Sequence, residues 1–190
     1  MKNIDLFKAP HICLTALDAD ADAKTFATWT HDSRFIPLIE DASPTHPLSE
    51  AQAKKLLGEI LKEADEKRTT FWFGIRTLDK KELLGIATLH WIDWGNGAVY
   101  MDLTMRNLAE YGQISTKETL ELLQNYVFHE IHMHRLSIAV PAYNEGLIEI
   151  LQSLNFTEEV RQHQEIYRFG KRWDMVRFGI LASEWEAATK

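Results

Sequence analysis

Hydrophobic and polar positions alternate in the middle of the chain and then change to a helical period. Within residues 98–105 (AVYMDLTM), aliphatic and Met side chains alternate with polar or aromatic ones, which predicts a strand whose two faces meet different surroundings. Ser115 and Glu118 then stand three residues apart, a spacing that predicts a capping box at the start of a helix. The apolar positions that follow recur at helical spacing: Leu120, Leu123, Tyr126, Val127 and Ile131. A helix that begins here points unpaired N–H groups at the end of the preceding strand, where they can hold a phosphate.

The N-terminal part of the chain is predicted to contain a strand, two helices and an irregular segment. The strand covers residues 11–17, and the first helix covers residues 18–29. Prolines interrupt residues 36–47, which are therefore predicted to be irregular. Ser49 and Gln52 form a second capping-box pattern, so the second helix is predicted to begin at Ser49.

Strands dominate the remainder of the chain. Aromatic and β-branched runs with intervening turn residues predict an antiparallel meander of three strands, at residues 69–77, 82–94 and 98–105. Beyond the central helix, the pattern predicts a strand at 135–140, a helix from Asn144 to Asn155, and a final strand pair at 156–169 and 174–181 with its turn at 170–172. Residues 184–190 are expected to fray.

Composition and charge exclude several classes of protein. The chain has 190 residues, a length typical of one domain, with 45% hydrophobic and 26% charged residues. Its net charge of 21 − 28 = −7 argues against non-specific nucleic-acid binding and is compatible with a cationic substrate. The single Cys13 rules out an internal disulfide and fits a reducing compartment. We see neither a signal-peptide pattern nor an apolar run of membrane-spanning length, so a cytoplasmic protein without membrane contact is expected.

The segment at the start of the central helix resembles a known family. Residues 111–120 (YGQISTKETL), with Tyr126-Val127-Phe128 further along, resemble the coenzyme A loop of the GNAT acyltransferases. The resemblance is strongest to the RimJ/RimL-like branch, the ribosomal-protein N-terminal acetyltransferases, which reads like WGKGYATEAL before a helix that ends in YAF. The superfamily pattern is Gln or Arg, two residues, Gly, any residue, then Gly or Ala. Gly112 fills the first glycine position, whereas Ala109 and Ile114 depart from the pattern.

The resemblance covers nearly the whole chain in the order of its elements. Residues 152–156 (QSLNF) resemble a family segment that often reads Glu-Lys-Leu-Gly-Phe, and residues 173–176 (WDMV) resemble its Gly-x-x-Asp segment before the last strand. The resemblance implies one GNAT domain over residues 1–190. Its fold class is α/β (α+β), with a central mixed, mostly antiparallel sheet flanked by helices.

The same resemblance makes a specific prediction about topology. The strands at 98–105 and 135–140 are expected to be parallel neighbours, joined by the helix at 115–131. In GNAT proteins the pantetheine arm of coenzyme A lies between two such splayed strands and pairs with backbone groups.

The resemblance implies acetyl-CoA as co-substrate and no metal. The implied cofactor-binding residues are Leu103, Thr104, Met105, Tyr111, Gly112, Gln113, Ile114, Ser115, Thr116 and Asn144. Asn144 is also a candidate helix N-cap, and the two roles are compatible. A capped core helix whose loop binds nothing is the alternative interpretation. The branched Ile114 side chain either points away from the diphosphate or blocks its site.

Acetyl transfer to an amine requires a base and a donor for the oxyanion. Asp102 is the candidate base, because it lies mid-strand beside the implied thioester and shares a face with Tyr100, the second candidate catalytic residue. A solvated or ion-paired strand carboxylate is the alternative interpretation of Asp102. His90 and Asp93 are the next candidates for the base. Many GNAT enzymes carry a Tyr as general acid at the position that Leu151 occupies here.

The acceptor side is assigned to loops. Residues 36–47 are predicted to wall the acceptor groove together with the tips of the strands at 82–94 and 98–105. Within that segment, Glu40 and Asp41 are candidates for attracting an ammonium group. No metal is predicted at the histidine-rich end of the central helix, because its spacing differs from the His-Glu-x-x-His zinc motif.

Together these patterns predict an N-acetyltransferase that moves an acetyl group from acetyl-CoA to an amine by direct attack. The acceptor is a protein N-terminus or a small-molecule amine, and the protein is expected to be a monomer or homodimer with no nucleic-acid partner. A non-catalytic GNAT-fold binding or assembly module, with weak or absent coenzyme A binding, is the alternative hypothesis.

Overall fold

Seven strands form one mixed sheet in the computed structural model, which describes residues 5–32, 46–67, 69–79 and 82–189. The strands are β1 Ile12–Thr15, β2 Phe71–Thr77, β3 Leu83–Asp93, β4 Ala98–Met105, β5 Arg135–Pro141, β6 Thr157–Arg168 and β7 Lys171–Leu181. Their order across the sheet is β1-β2-β3-β4-β5-β7-β6. All neighbours pair antiparallel except β4 and β5, which confirms the predicted mixed, mostly antiparallel sheet.

Helices cover the sheet and connect its strands. They are α1 Ala19–Thr30, α2 Glu50–Lys67, α3 Ile114–Asn125, α4 Glu145–Ser153 and α5 Ala182–Thr189. A short 3₁₀ helix, Leu108–Gly112, precedes α3, and one π-helical turn, Tyr126–Glu130, ends it.

The parallel neighbours β4 and β5 separate partway along their length. Their register runs only from the pair Ala98 and Arg135 to the pair Tyr100 and Ser137, although β4 continues to Met105. Over the same length β5 stays paired with β7 as far as Pro141. The predicted parallel pair joined by the central helix is therefore confirmed, and it opens into a gap at its carboxyl end.

Two hydrophobic clusters hold the sheet between its helices. In one, α1 and α2 bury Phe26, Ala53 and Leu57 against Ile86 of β3. In the other, residues of α3, α4 and α5 join the opposite side chains of the strands; its members include Leu89, Met101, Leu123, Leu151, Phe178 and Trp185. Ile86 of β3 packs with α1 and α2, whereas Met101 and Leu103 of β4 belong to the other cluster. Thr88 and its partner Asp102 alternate with those β4 residues and therefore share the face of Ile86, which looks toward α1 and α2.

Several predicted boundaries are confirmed and others need correction. The backbone N–H of Ser49 donates to Oε1 of Gln52 at 2.9 Å and the N–H of Gln52 donates to Oγ of Ser49 at 3.3 Å, which confirms that capping box. Asn155 adopts φ 64°, as predicted for the residue that closes α4.

The C-terminal predictions were partly wrong. Residues 182–189 form α5 instead of fraying, because Trp185 is buried against Phe128 with ring centroids 5.2 Å apart. The turn between β6 and β7 consists of Phe169 and Gly170, both with positive φ, so β7 begins at Lys171, earlier than predicted. Within the predicted irregular segment 36–47, residues 36–45 lie outside the described residues.

Candidate functional site

The gap between β4 and β5 opens into a cavity of about 300 Å³, here called the splay cavity. Strand residues supply its floor, and α1 and α2 supply an apolar wall. The lining includes Phe26, Leu56, Leu57, Ile60, Trp72, Ile86, Thr88, Asp102, Leu103, Thr104, Tyr111, Ala139, Tyr143, Asn144 and Leu147. Leu103, Thr104, Tyr111 and Asn144, which the family resemblance had singled out, therefore meet at one cavity.

A second depression of about 880 Å³, here called the groove, continues from the splay cavity. Its walls come from α2, β3, β4 and the β6–β7 hairpin, and its charged and aromatic lining includes Glu63, Lys67, His90, Trp91, Tyr100, Asp102, Glu165, Arg168 and Arg177. Both depressions are lined by Ile60, Trp72, Thr88, Asp102, Ala139, Pro141 and Tyr143. A ligand in the splay cavity and another in the groove would thus meet beside Asp102.

Asp102 and His90 lie side by side at this junction. The Nε2 atom of His90 is 3.0 Å from Oδ2 of Asp102. The two residues are diagonal neighbours on one face, since His90 pairs with Tyr100 and Asp102 pairs with Thr88. The contact is close but lacks hydrogen-bond alignment, so the buried Nε2 atom has no aligned partner among the described residues. The geometry brings together a carboxylate and an imidazole where an incoming amine would need a base.

Tyr100 flanks the same pair. It lines the groove, and its ring centroid lies 6.2 Å from that of His90 and 5.4 Å from that of Trp91. Trp91 is 69% exposed and holds φ at 48°, a left-handed value that a non-glycine residue adopts only at a cost. These aromatic rings form the lip of the groove beside Asp102.

Tyr111 is fully buried and ties the 3₁₀ helix to the end of β4. Its hydroxyl donates to the carbonyl oxygen of Leu103 at 2.8 Å and accepts from the N–H of Met105 at 3.2 Å. Both backbone groups belong to the stretch of β4 beyond its pairing with β5. Tyr111 therefore hydrogen-bonds two backbone groups at the open edge of β4. The side chain of Met105 lies in the hydrophobic core and not in the splay cavity.

The predicted N-cap role of Asn144 is confirmed, and its predicted role in cofactor binding stays a prediction. It is buried, it is the N-cap of α4, and its Oδ1 atom accepts from the N–H of Leu147 at 3.4 Å. Its side-chain NH₂ group has no hydrogen-bond partner in the part of the chain that the structure describes. Asn144 lines the splay cavity.

The predicted capping box at the start of α3 was wrong. Gln113 is the N-cap and makes no side-chain cap, because the preceding 3₁₀ helix brings Ser115 inside the first turn. The Oγ atom of Ser115 is buried without a partner among the described residues. Glu118 instead accepts from the N–H of His11 at 3.0 Å and contacts Nδ1 of His11 at 2.7 Å. The first turn of α3 therefore keeps uncapped N–H groups, on which phosphate binding at a helix start depends.

The other loop residues lie around this helix start and do not line either depression. Gly112 packs against Gly146 of α4, where an added Cβ would lie 3.0 Å from the Cα and N atoms of Gly112. Ile114 is 52% exposed, and its side chain points into solvent. Thr116 donates its hydroxyl to the carbonyl oxygen of Glu110 at 2.8 Å.

Asp93, another candidate for the base, lies away from this junction. Asp93 is the last residue of β3, and its carboxylate accepts from the side chain and N–H of Asn96 and from the N–H of Gly95 in the following turn. The hydrogen bonds from Asn96 hold the pKa of Asp93 below its usual range. Asp93 lines neither depression, so it is not a base at this junction. Glu40 and Asp41 fall outside the described residues.

Several lining residues were not found from the sequence. Trp72, Thr88 and Arg177 reach the junction or the groove through strand register and not through any motif. Tyr143 reaches both depressions from the turn between β5 and α4. The sequence signal that could have found the strand residues is the alternation of side chains along β2, β3 and β7. Once the strand order is known, this alternation shows which side chains share a face of the sheet.

The described ranges contain neither a membrane-spanning helix nor a metal-binding cluster. No helix there is long and apolar enough to cross a membrane. No group of three or more His, Cys, Asp or Glu side chains is arranged there as a metal site.

Comparison with known proteins connects this geometry to a family. The sequence model of the acetyltransferase (GNAT) domain matches residues 11–157. The Bacillus subtilis (strain 168) protein named "Putative ribosomal N-acetyltransferase YdaF" is 27% identical over 104 residues, which cover 55% of this chain and 56% of that protein. The match thus spans about half the length of the curated relatives.

Solved structures resemble nearly the whole chain in fold. A structure described as "Probable acetyltransferase" has a TM-score of 0.78 at 20% identity and covers 94% of this chain and 98% of its own. The spermidine N-acetyltransferase from Vibrio cholerae in complex with CoA and spermine has a TM-score of 0.73 at 18% identity, covering 92% and 98%. At these identities the likeness concerns the fold.

Proposed function

The chain belongs to the acetyltransferase (GNAT) family, and from this premise we propose that it transfers an acetyl group from acetyl-CoA to an amine where the splay cavity meets the groove. The observation that carries the proposal is the continuity of the two depressions at Asp102. One depression is apolar and narrow, which suits a pantetheine arm, and the other is wide and charged, which suits an acceptor. Holding both reactants at one junction supplies the orientation that speeds a two-substrate reaction.

Backbone and amide groups of this chain suit coenzyme A. The Asn144 NH₂ group and the open edge of β4 at Leu103 face the splay cavity, where the amide groups of a pantetheine arm would find partners. The uncapped start of α3 lies beyond it, where the diphosphate would meet N–H groups and the helix dipole. Ile114, with its side chain in solvent, leaves those N–H groups accessible.

The amine loses its proton at the pair of His90 and Asp102. Asp102 draws the ammonium group to the junction, where it gives one proton to solvent and becomes a neutral amine. The amine nitrogen then attacks the thioester carbonyl, and His90 accepts the second proton from that nitrogen. A C–N bond forms, the C–S bond breaks, and the thiolate leaves. Tyr143 borders both depressions and is the candidate to protonate that thiolate, in place of the Tyr that the family carries where Leu151 stands here.

The acceptor amine is either a protein N-terminus or a small molecule. The match to a protein named as a ribosomal N-acetyltransferase supports the RimJ/RimL-like branch and a protein N-terminus. The width of the groove supports the same choice, since about 880 Å³ accommodates several residues of an extended peptide.

The test is amine-dependent release of coenzyme A. Purified protein is incubated with acetyl-CoA and a panel of peptides and small amines, the free thiol is followed by a thiol reagent, and the product mass is measured. We expect thiol release that requires an amine and a mass gain of one acetyl group on that amine. Thiol release that does not depend on any amine, or no release with any member of the panel, contradicts the proposal.

A further inference from the structure

One row of side chains crosses the sheet face beneath the junction and carries opposite charges at its two sides. Trp72 pairs with Thr88, and Thr88 pairs with Asp102. Across the gap, Ala139 pairs with Arg177. All five residues line the groove, and because paired residues share a face, they form a continuous floor. The floor thus holds a carboxylate on β4 and a guanidinium on β7, with a small Ala between them.

Arg177 is held in place but keeps donors for a ligand. Its Nε atom donates to Oε1 of Gln162 at 2.8 Å, which fixes the plane of the guanidinium. Its two Nη groups have no hydrogen-bond or ion-pair partner in the described part of the chain. Arg177 is half-buried and lines the groove. A preorganised, planar guanidinium with free Nη groups suits bidentate binding of a carboxylate.

The remaining charges of the groove do not make it strongly acidic. Its described lining contains three carboxylates, Glu63, Asp102 and Glu165, and three cations, Lys67, Arg168 and Arg177. Glu63 and Lys67 form an ion pair with each other. A polyamine carries several positive charges and is attracted by an excess of carboxylates, which this lining does not provide.

We propose that the acceptor is an amine that also carries a carboxylate, with the amine at Asp102 and the carboxylate on Arg177. This inference rests on the proposed acetyl transfer and names the substrate class of the same site. Neighbouring strands lie about 4.8 Å apart, so the Cα atoms of Asp102 and Arg177 are separated by about 10 Å or more. The carboxylate therefore lies several bonds from the amine, as in a peptide with an acidic residue close to its N-terminus.

Matched peptides that differ by one charge test this recognition. The probes are the amidated dipeptides Ala-Glu-NH₂ and Ala-Gln-NH₂, their versions lengthened by one Ala, and spermidine, each assayed with saturating acetyl-CoA. At one of the two peptide lengths, we expect kcat/KM for the Glu peptide to be at least tenfold higher than for the Gln peptide of the same length. The difference should lie mainly in KM.

Variants connect that preference to Arg177. In Arg177→Gln the preference for the Glu peptide should fall to less than twofold, whereas Arg177→Lys should retain part of it. Arg172→Gln is the matched control, because Arg172 lies on the same strand and does not line the groove; it should keep the full preference. A folded variant is confirmed by unchanged affinity for acetyl-CoA.

The outcomes separate this inference from the function on which it rests. Acetylation of amines without a preference for the carboxylate, a preference for spermidine, or an unchanged preference in Arg177→Gln overturns the inference and leaves acetyl transfer intact. Failure of every amine to accept an acetyl group overturns the proposed function and the inference with it.

Discussion

The Nε2 atom of His90 lies 3.0 Å from Oδ2 of Asp102, on neighbouring strands and on the same face of the sheet. The pair stands where the splay cavity joins the groove, and the imidazole nitrogen has no aligned hydrogen-bond partner among the described residues. A buried polar atom without a partner costs free energy, and that cost persists where function benefits from it. We therefore propose that this pair receives the proton of the acceptor amine.

Removing either member of this pair should slow acetyl transfer. We expect Asp102→Asn and His90→Gln each to lower kcat by about 100-fold, the lower end of what general-base catalysis contributes. Acetyl-CoA affinity, measured by calorimetry, should stay within a factor of about 2. Asp93→Asn is the control, since Asp93 ends β3 and lies outside both depressions. An Asp93 variant as slow as the Asp102 variant would refute the assignment.

The hydroxyl of Tyr111 should contribute to stability and to cofactor binding. Tyr111→Phe leaves the carbonyl oxygen of Leu103 and the N–H of Met105 without this partner, which should cost about 1–3 kcal/mol of unfolding free energy. Because the end of β4 then loses its anchor, acetyl-CoA affinity should fall as well. Tyr167→Phe is the matched control, since Tyr167 is 59% exposed and should not change the urea midpoint.

The close approach of Gly146 to Gly112 predicts opposite effects for two Gly→Ala substitutions. In Gly146→Ala the new Cβ lies 3.0 Å from backbone atoms of Gly112, so α4 must move and unfolding free energy should fall by about 1 kcal/mol or more. In Gly58→Ala the new Cβ meets nothing within 4 Å, and α2 should gain about 0.5–1 kcal/mol. Urea denaturation measures both, and stabilisation by Gly146→Ala would contradict the packing argument.

Ile114 stands where the family pattern has a glycine. The exposure of its side chain determines how Ile114→Gly should change acetyl-CoA affinity. The side chain is 52% exposed, so it leaves the first-turn N–H groups of α3 accessible. Ile114→Gly should therefore leave acetyl-CoA affinity unchanged or reduce it slightly by loosening the helix start. A gain of tenfold or more, about 1.4 kcal/mol, would show that Ile114 blocks the site.

The order of elements and the parallel strand pair could be predicted because both depend on local patterns and on a resemblance that spans the chain. The alternation of residues 98–105 assigned Asp102 and Thr104 to one face, and the structure places both at the splay cavity. The position of Asn144 likewise followed from its place after β5.

The capping box at Ser115 could not be judged from the sequence, because the 3₁₀ helix before α3 shifts the N-cap to Gln113. Glu118 has a partner 107 residues away in His11, which no local spacing reveals. Arg177 was missed for the same reason, since it meets the groove only through the register of β7 with β5. The predictions failed where a residue's role depends on contacts between segments that are distant in the sequence.

The N-cap of α1 gives the protein a pH-dependent contribution to stability. The N–H groups of Ala21 and Asp20 donate to the Asp18 carboxylate and lower its pKa from the ordinary 3.8. A lowered folded pKa means that this stabilisation is present above the ordinary value and is lost as pH falls through the folded one. The melting temperature of Asp18→Ala should therefore lie below that of the wild type at pH 7, and the difference should shrink below pH 3.8. A difference that is constant with pH would contradict this role.

Calorimetric titration of the protein with acetyl-CoA tests the central claim most directly, because transfer at the junction requires the cofactor in the splay cavity. We expect saturable binding of one acetyl-CoA per chain, weakened at least tenfold in a variant that fills the cavity, Thr104→Trp, and unchanged in the exposed control Glu121→Gln. Absence of binding at millimolar acetyl-CoA would contradict the claim and favour a GNAT-fold protein that serves as a binding or assembly module.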